Sequence, residues 1–171
     1  MKKISIIKGD ITLQKTDIIV NAANTALLGG GGVDGAIHSA AGPDLLKECS
    51  ALNGCASGEA KITKGYKLAA SYVIHTPGPV YRNGKNNESE TLKNCYINSM
   101  KLALQYKAES ISFPAISTGI YNYPKKEAAV IALSSITEFM DKNNYYPQVV
   151  IVLYDEENYM IYKNLINETG E

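Results

Sequence analysis

The sequence predicts an α/β protein, a three-layer α/β/α domain, on three observations. Short β-branched segments alternate with helical periodicities along the whole chain. Residues 149–153 are apolar at nearly every position, as expected of a strand covered on both faces. Four consecutive glycines, Gly29, Gly30, Gly31 and Gly32, stand between a strand and a helix. A length of 171 residues fits one such domain with a substantial core.

Taken in order, residues 4–7 and 17–20 read as short β-branched strands. A helix over 33–41 leaves the glycine run. A second, over 45–52, has Pro43 near its start, where a fixed φ suits the first turn. Strands over 60–63 and 72–75 follow, the second closed by Pro77-Gly78-Pro79. The clearest helix covers 88–107: Leu92, Tyr96, Met100, Ala103 and Leu104 recur at helical spacing, and Asn87 with Glu90 forms a capping-box pattern. After a strand over 111–113, a helix over 124–140 puts Ala128, Ala132, Leu133, Ile136 and Phe139 on one face. The apolar strand 149–153 comes next, then a helix capped by Asp155 that carries Tyr159, Tyr162 and Ile166. No repeat, low-complexity tract or Pro/Ser-rich linker interrupts the series, so one domain over 1–171 is expected.

Charge and cysteine usage narrow the function classes. Lys plus Arg and Asp plus Glu each total 17, so no broad electrostatic grip on nucleic acid or an anionic membrane is expected. An anionic ligand would have to be held by placed backbone amides. The apolar stretch after Met1-Lys2-Lys3 is too short for a signal peptide, and no run approaches a membrane span. Cys49, Cys55 and Cys95 are an odd set without a CxxC pair, which reads as reduced thiols in a cytoplasm. Together with His38 and His75 they offer no zinc-site spacing. No metal and no cofactor are expected, and the chain is expected to be monomeric.

The sequence is most informative over 21–35, NAANTALLGGGGVDG. A strand ends at Val20, a short loop follows, and the glycines open a helix. Glycine lets a ligand approach the backbone, and a helix N-terminus adds free N–H groups and partial positive charge. Together these make a phosphate site. A second loop, Pro114-Ala115-Ile116-Ser117-Thr118-Gly119-Ile120-Tyr121, follows the 111–113 strand before Pro124 opens a helix. Ligands collect at strand C-termini in open α/β sheets, so both loops are expected at one crevice, suited to a diphosphate. Gly30, Gly32 and Gly35 also match GxGxxG, but the acidic residue that a dinucleotide fold wants about 20 positions on is missing; Leu52-Asn53-Gly54-Cys55 stands there. No Gly-Lys-Ser/Thr of a Walker A loop occurs.

Taken together, Gly9-Asp10-Ile11, Asn21-Ala22-Ala23-Asn24, the GGGGVDG run to Gly35, His38, Ala40-Ala41-Gly42-Pro43, Gly58-Glu59-Ala60, Val73-Ile74-His75-Thr76, Ile116 to Tyr121 as ISTGIY, and Asp155-Glu156-Glu157-Asn158 resemble the macrodomains of the MacroD type. The resemblance extends along essentially the whole chain. It implies a mixed, mostly parallel six-stranded sheet with ADP-ribose lying across its top. By position, Asp10 would accept from the adenine amino group, Ile11 would offer a nearby backbone amide, and Tyr154 would cover the adenine face. Gly32, Val33, Ser117, Thr118, Gly119, Ile120 and Tyr121 would wrap the diphosphate and distal ribose. Asn24 would bind the distal ribose hydroxyls, and Asp34 would sit beside the anomeric carbon.

The implied activity is a hydrolase acting on O-acetyl-ADP-ribose and on ADP-ribose attached to aspartate or glutamate of proteins, with Asp34 and Asn24 as its catalytic residues. A water oriented by Asp34 and a phosphate oxygen fits, since no Gly-x-Ser-x-Gly elbow is present. The alternative is a module that binds ADP-ribose without turning it over. An Asp in a helix's first turn also has a purely electrostatic reason to be there. His38 and His75 read as packing residues, and the Tyr145-Tyr146 pair as loop packing. The chain departs from the usual family pattern at Ser39, Pro77, Tyr81 and Asn122, where Arg, Val, Trp and Gly are common. Ser39 is expected on the helix surface, and Asn122 tolerates a left-handed backbone almost as glycine does.

Overall fold

A computed structural model describes residues 4–168. Six strands form one sheet: β1 Ile4–Lys8, β2 Ile18–Ala23, β3 Lys61–Lys64, β4 Tyr72–Pro77, β5 Ser110–Phe113 and β6 Gln148–Leu153. Their spatial order is β1-β6-β5-β2-β4-β3, and every neighbouring pair is parallel except the edge pair β3–β4. The helices are α1 Gly32–Ala41, α2 Pro43–Ala51, α3 Glu88–Gln105, α4 Lys125–Asn143 and α5 Glu156–Glu168, with a 3-10 turn at Ile11–Leu13. This is the expected three-layer mixed sheet.

Period-two alternation along the strands divides the core in two. Val149, Ile151 and Leu153 of β6, with Ile18 and Val20 of β2, face α3, α4 and α5 through Leu92, Tyr96, Met100, Ala132, Ile136 and Tyr162. Val150 and Val152, with Ile19 and Ala23, face α1 and α2 through Ile37, Ala41, Leu45 and Cys49. Both faces of the central strands are therefore buried, which is why they read as apolar runs.

Two local expectations fail. The second strand continues three residues beyond Val20, because Asn21, Ala22 and Ala23 stay in parallel register with His75, Thr76 and Pro77. Ladder pairing overrides the low strand preference of asparagine. The capping box at α3 does not form: Asn87 adopts a left-handed φ of 59° and its side chain makes no cap. Glu88 replaces it. Its buried carboxylate accepts from the backbone N–H groups of Arg82, Asn83, Gly84 and Asn86 at 2.7–3.2 Å, closing the preceding loop onto the helix. The Arg82 amide first, then those of Asn86, Gly84 and Asn83, lower its pKa to about 2 against an opposing push from burial. At α5 the expected cap is present, with Asp155 Oδ1 accepting from Asn158 N at 2.7 Å.

Candidate functional site

A cleft of about 810 Å³ opens at the C-terminal ends of β1, β6, β5 and β2, bounded on one side by the first turn of α1. Adjacent strands are about 4.8 Å apart, so β1 to β2 spans three spacings, roughly 14 Å, and the cleft suits an elongated ligand. All twelve candidate residues line it: Asp10, Ile11, Asn24, Gly32, Val33, Asp34, Ser117, Thr118, Gly119, Ile120, Tyr121 and Tyr154.

At the β1/β6 end, Asp10 caps the 3-10 turn, and its Oδ1 accepts from Thr12 N at 2.9 Å and Thr12 Oγ1 at 2.7 Å. These bonds fix the carboxylate at the rim. Tyr154 and Ile120 are 84% and 87% exposed although they line a concavity, which marks them as apolar surface open to a ligand. In the middle, the 114–121 loop follows β5. Ser117 is buried with φ 68°, and its hydroxyl donates to Pro79 O at 2.8 Å, so its one O–H donor is committed to the fold. Asn122 takes φ 59°, the left-handed conformation expected of it, and its N–H bonds Gly119 O.

The β2 end gathers the glycine loop and the buried polar side chains. Gly31 is the N-cap of α1 and makes no side-chain cap bond. The first-turn amides of Gly32, Val33 and Asp34 therefore present the helix's positive end to the cleft. A Cβ on Gly35 would lie 2.5 Å from Gly30 O, so only glycine lets the helix pack this close under its own loop. Asn24 Nδ2 donates to Gly29 O at 2.9 Å and its Oδ1 accepts from Leu27 N at 3.0 Å, holding the loop's shape while one Nδ2 hydrogen remains.

Asp34 is 5% exposed. Its Oδ1 accepts from Asn21 Nδ2 at 2.7 Å. His38 Nε2 lies 3.4 Å from the same oxygen but is not aligned for a hydrogen bond, so this histidine sits nearer the site than a packing role implied. Asp34 Oδ2 is buried without a protein partner. The point where a Cβ would stand on Gly30 is 3.1 Å from that oxygen and 3.2 Å from Asn24 Nδ2, so the two polar atoms converge. Among the described residues, no group of three or more His, Cys, Asp or Glu side chains gathers as a metal site, and no helix is long and apolar enough to cross a membrane.

Sequence reasoning missed the groups behind Asp34. Asn21 and His75 are fully buried, 3.1 Å apart from Nδ2 to Nδ1, and His75 Nε2 lies 2.9 Å from Thr63 Oγ1 and 3.7 Å from Cys49 Sγ. Burial chiefly, with the His38 charge, lowers the His75 pKa to about 3. An asparagine within an otherwise apolar strand segment was the available signal. Asp155 and Asn158 were read as part of the family pattern, and Asp155 as a cap, but neither as a site residue; both line the cleft, and Asn158 Oδ1 is buried without a partner.

The Macro domain family model matches residues 20–132. This chain belongs to the macro domain family. ADP-ribose glycohydrolase MACROD2 of Homo sapiens is 53% identical to this macro domain over 169 residues, 98% of this chain and 40% of that protein. O-acetyl-ADP-ribose deacetylase of Citrobacter rodentium is 48% identical over 173 residues, 99% of this chain and 98% of that one. A variant of the Oceanobacillus iheyensis macrodomain solved with ADPR shares the fold with a TM-score of 0.91 at 46% identity, covering 96% of this chain and 91% of that one.

Proposed function

We propose that this macro domain binds ADP-ribose along the cleft and hydrolyses an ester at its distal ribose. Its substrates are O-acetyl-ADP-ribose, and ADP-ribose on aspartate or glutamate side chains of proteins. The observation that carries the reading is the buried, unpartnered Asp34 Oδ2, converging with Asn24 Nδ2 where the glycine loop meets the helix. A buried carboxylate oxygen without a protein partner is an acceptor kept for a ligand or a water. Names of the relatives support the activity, glycohydrolase for one and deacetylase for another.

In this reading the adenine lies against Tyr154 with its amino group toward Asp10; a carboxylate acceptor and an aromatic face suit those two features. The diphosphate lies between the first turn of α1 and the 117–121 loop, held by backbone amides. Ile11 contributes an amide at the adenine end, and Asn24 holds the distal ribose. Asp34 Oδ2 accepts a hydrogen bond from the attacking water, whose oxygen enters one product while its proton balances the other. No step is assigned to a metal ion. Three buried free thiols accord with a reducing, cytoplasmic compartment, and the balanced charge gives no basis for gripping nucleic acid. A single-domain monomer completes the proposal.

The test is release of ADP-ribose from a glutamate-linked conjugate, with calorimetry on the same preparations. Asp34→Ala is expected to cut turnover by on the order of 10²-fold or more while leaving ADP-ribose affinity within a few-fold. A wild-type protein that binds ADP-ribose and releases none is a binding module, and the hydrolase reading then fails.

A further inference from the structure

We propose that Asn21 is a positioning residue for the hydrolysis: it holds the Asp34 carboxylate so that Oδ2 stays turned toward Gly30 at the cleft wall, and His75 in turn holds Asn21. This inference rests on the hydrolase reading above and deepens it.

Asn21 occupies an expensive position. It lies on the α1 face of β2 between Ile19 and Ala23, both in the apolar cluster under α1 and α2, and it is 0% exposed. A leucine would fill such a place without burying a polar atom of its own. Asn21 instead keeps its Oδ1 buried with no partner, a cost that packing alone does not explain. What the amide supplies is two N–H groups. One goes to Asp34 Oδ1 at 2.7 Å and the other toward His75 Nδ1 at 3.1 Å.

The amide can sit only one way round. Reversed, it would press Oδ1 against a carboxylate oxygen at the same 2.7 Å, acceptor against acceptor. The histidine is likewise assigned by its neighbours. Burial keeps it neutral, so with Nδ1 accepting from Asn21 its proton is on Nε2, directed at Thr63 Oγ1 2.9 Å away. Thr63 then donates to Lys64 O at 3.1 Å. One proton assignment makes each of these contacts a donor–acceptor pair and leaves only Asn21 Oδ1 without a partner.

Its members come from adjacent strands. Asn21 pairs with His75 in the β2–β4 register, and Thr63 belongs to β3 on the far side of β4. The carboxylate is thus tied through Oδ1 to the backbone-paired part of the sheet, and its other oxygen is aimed by a rigid support. Misplacing a reacting group by about 1 Å can cost 10²-fold in rate, so aiming of this kind is a kinetic matter.

The experiment compares five proteins: wild type, Asp34→Ala, Asn21→Leu, His75→Gln and His75→Leu. Each is assayed for kcat on the glutamate-linked conjugate and for the Kd of free ADP-ribose. Asn21→Leu is expected to lower kcat by on the order of 10–100-fold with Kd within about threefold. His75→Gln, which keeps an acceptor for the second Asn21 N–H, is expected near the wild-type kcat. His75→Leu, which removes that acceptor and leaves the amide held by Asp34 alone, is expected to fall at least about threefold below His75→Gln.

Equal turnover by wild type and Asp34→Ala overturns the hydrolase site itself. An inactive Asp34→Ala beside a fully active Asn21→Leu overturns the positioning role alone. Parallel losses in kcat and ADP-ribose affinity for Asn21→Leu also overturn it, since general loosening of the site moves both. If Asn21→Leu does not fold, the two His75 variants decide, and equal kcat values for them refute the proposal.

Discussion

Acidification from about pH 7.5 to about pH 5 is expected to remove roughly 2 kcal/mol of stability through His75 alone. The side chain is 0% exposed, and its folded pKa of about 3 lies far below the ordinary 6.5. Between those two values the unfolded chain binds a proton that the folded chain refuses. The stabilisation is therefore fully present above about pH 6.5 and declines as pH falls toward 3, at up to about 1.4 kcal/mol per pH unit. A domain of this size loses about 2–4 °C in Tm per kcal/mol, so this one group accounts for roughly 4–8 °C. The assay is thermal unfolding across the pH range for wild type and His75→Gln. Glutamine has no proton to gain, so the variant's Tm is expected to fall less steeply with acid, whatever its starting value. Parallel Tm curves for the two proteins would falsify the reasoning, because they would mean that His75 charges in the folded protein as readily as in the unfolded one.

ADP-ribose is expected to bind more tightly than GDP-ribose, because guanine presents a carbonyl to the Asp10 carboxylate; losing a hydrogen bond to a charged group costs about 1.5–3 kcal/mol. Asp10→Ala should narrow that gap, and competition calorimetry reads it. Gly35→Ala places a methyl 2.5 Å from Gly30 O and must push the loop off the helix, so ADP-ribose affinity is expected to drop by about tenfold or more while the protein stays folded. Glu88, whose folded pKa of about 2 is below the ordinary 4.5, stabilises the 82–87 loop above about pH 4.5 and loses that hold as pH falls toward 2. Amide hydrogen exchange in that loop is expected to quicken over the same window in wild type, and already at neutral pH in Glu88→Gln.

The fold was readable because burial on both faces writes itself directly into strand composition. The 149–153 run and the spacing of Leu92, Tyr96 and Met100 need no tertiary knowledge to interpret. The cleft was partly readable for a different reason: glycine runs and strand-to-helix loops are local chemistry, and Gly30, Gly31, Gly32 and the 114–121 loop line it, while Asp10, Ile11, Asn24 and Tyr154 were assigned through the resemblance to macrodomains. Where the reading stopped, the cause was non-local. The extension of β2 through Ala23 depends on a ladder partner 54 positions away, Asn21 opposite His75. The Glu88 carboxylate reaches back to four amides, an arrangement that a cap pattern of fixed spacing cannot express. Ser117 was chosen for its loop, but the direction of its hydroxyl depends on Pro79, which sequence spacing does not reveal.

The cleft is built from two kinds of support, and they have different freedoms. Asn21 and His75 sit opposite one another in paired strands, and Asp34 stands in the first turn of the helix packed on the sheet. Tyr154 and Ile120 stand on loops with most of their surface in solvent. Substitutions at those two positions can reshape the grip on a nucleotide without disturbing the core. Changes of ligand preference within this architecture are therefore expected to accumulate on the exposed rim, while the reacting end stays fixed by the packing that keeps the protein folded.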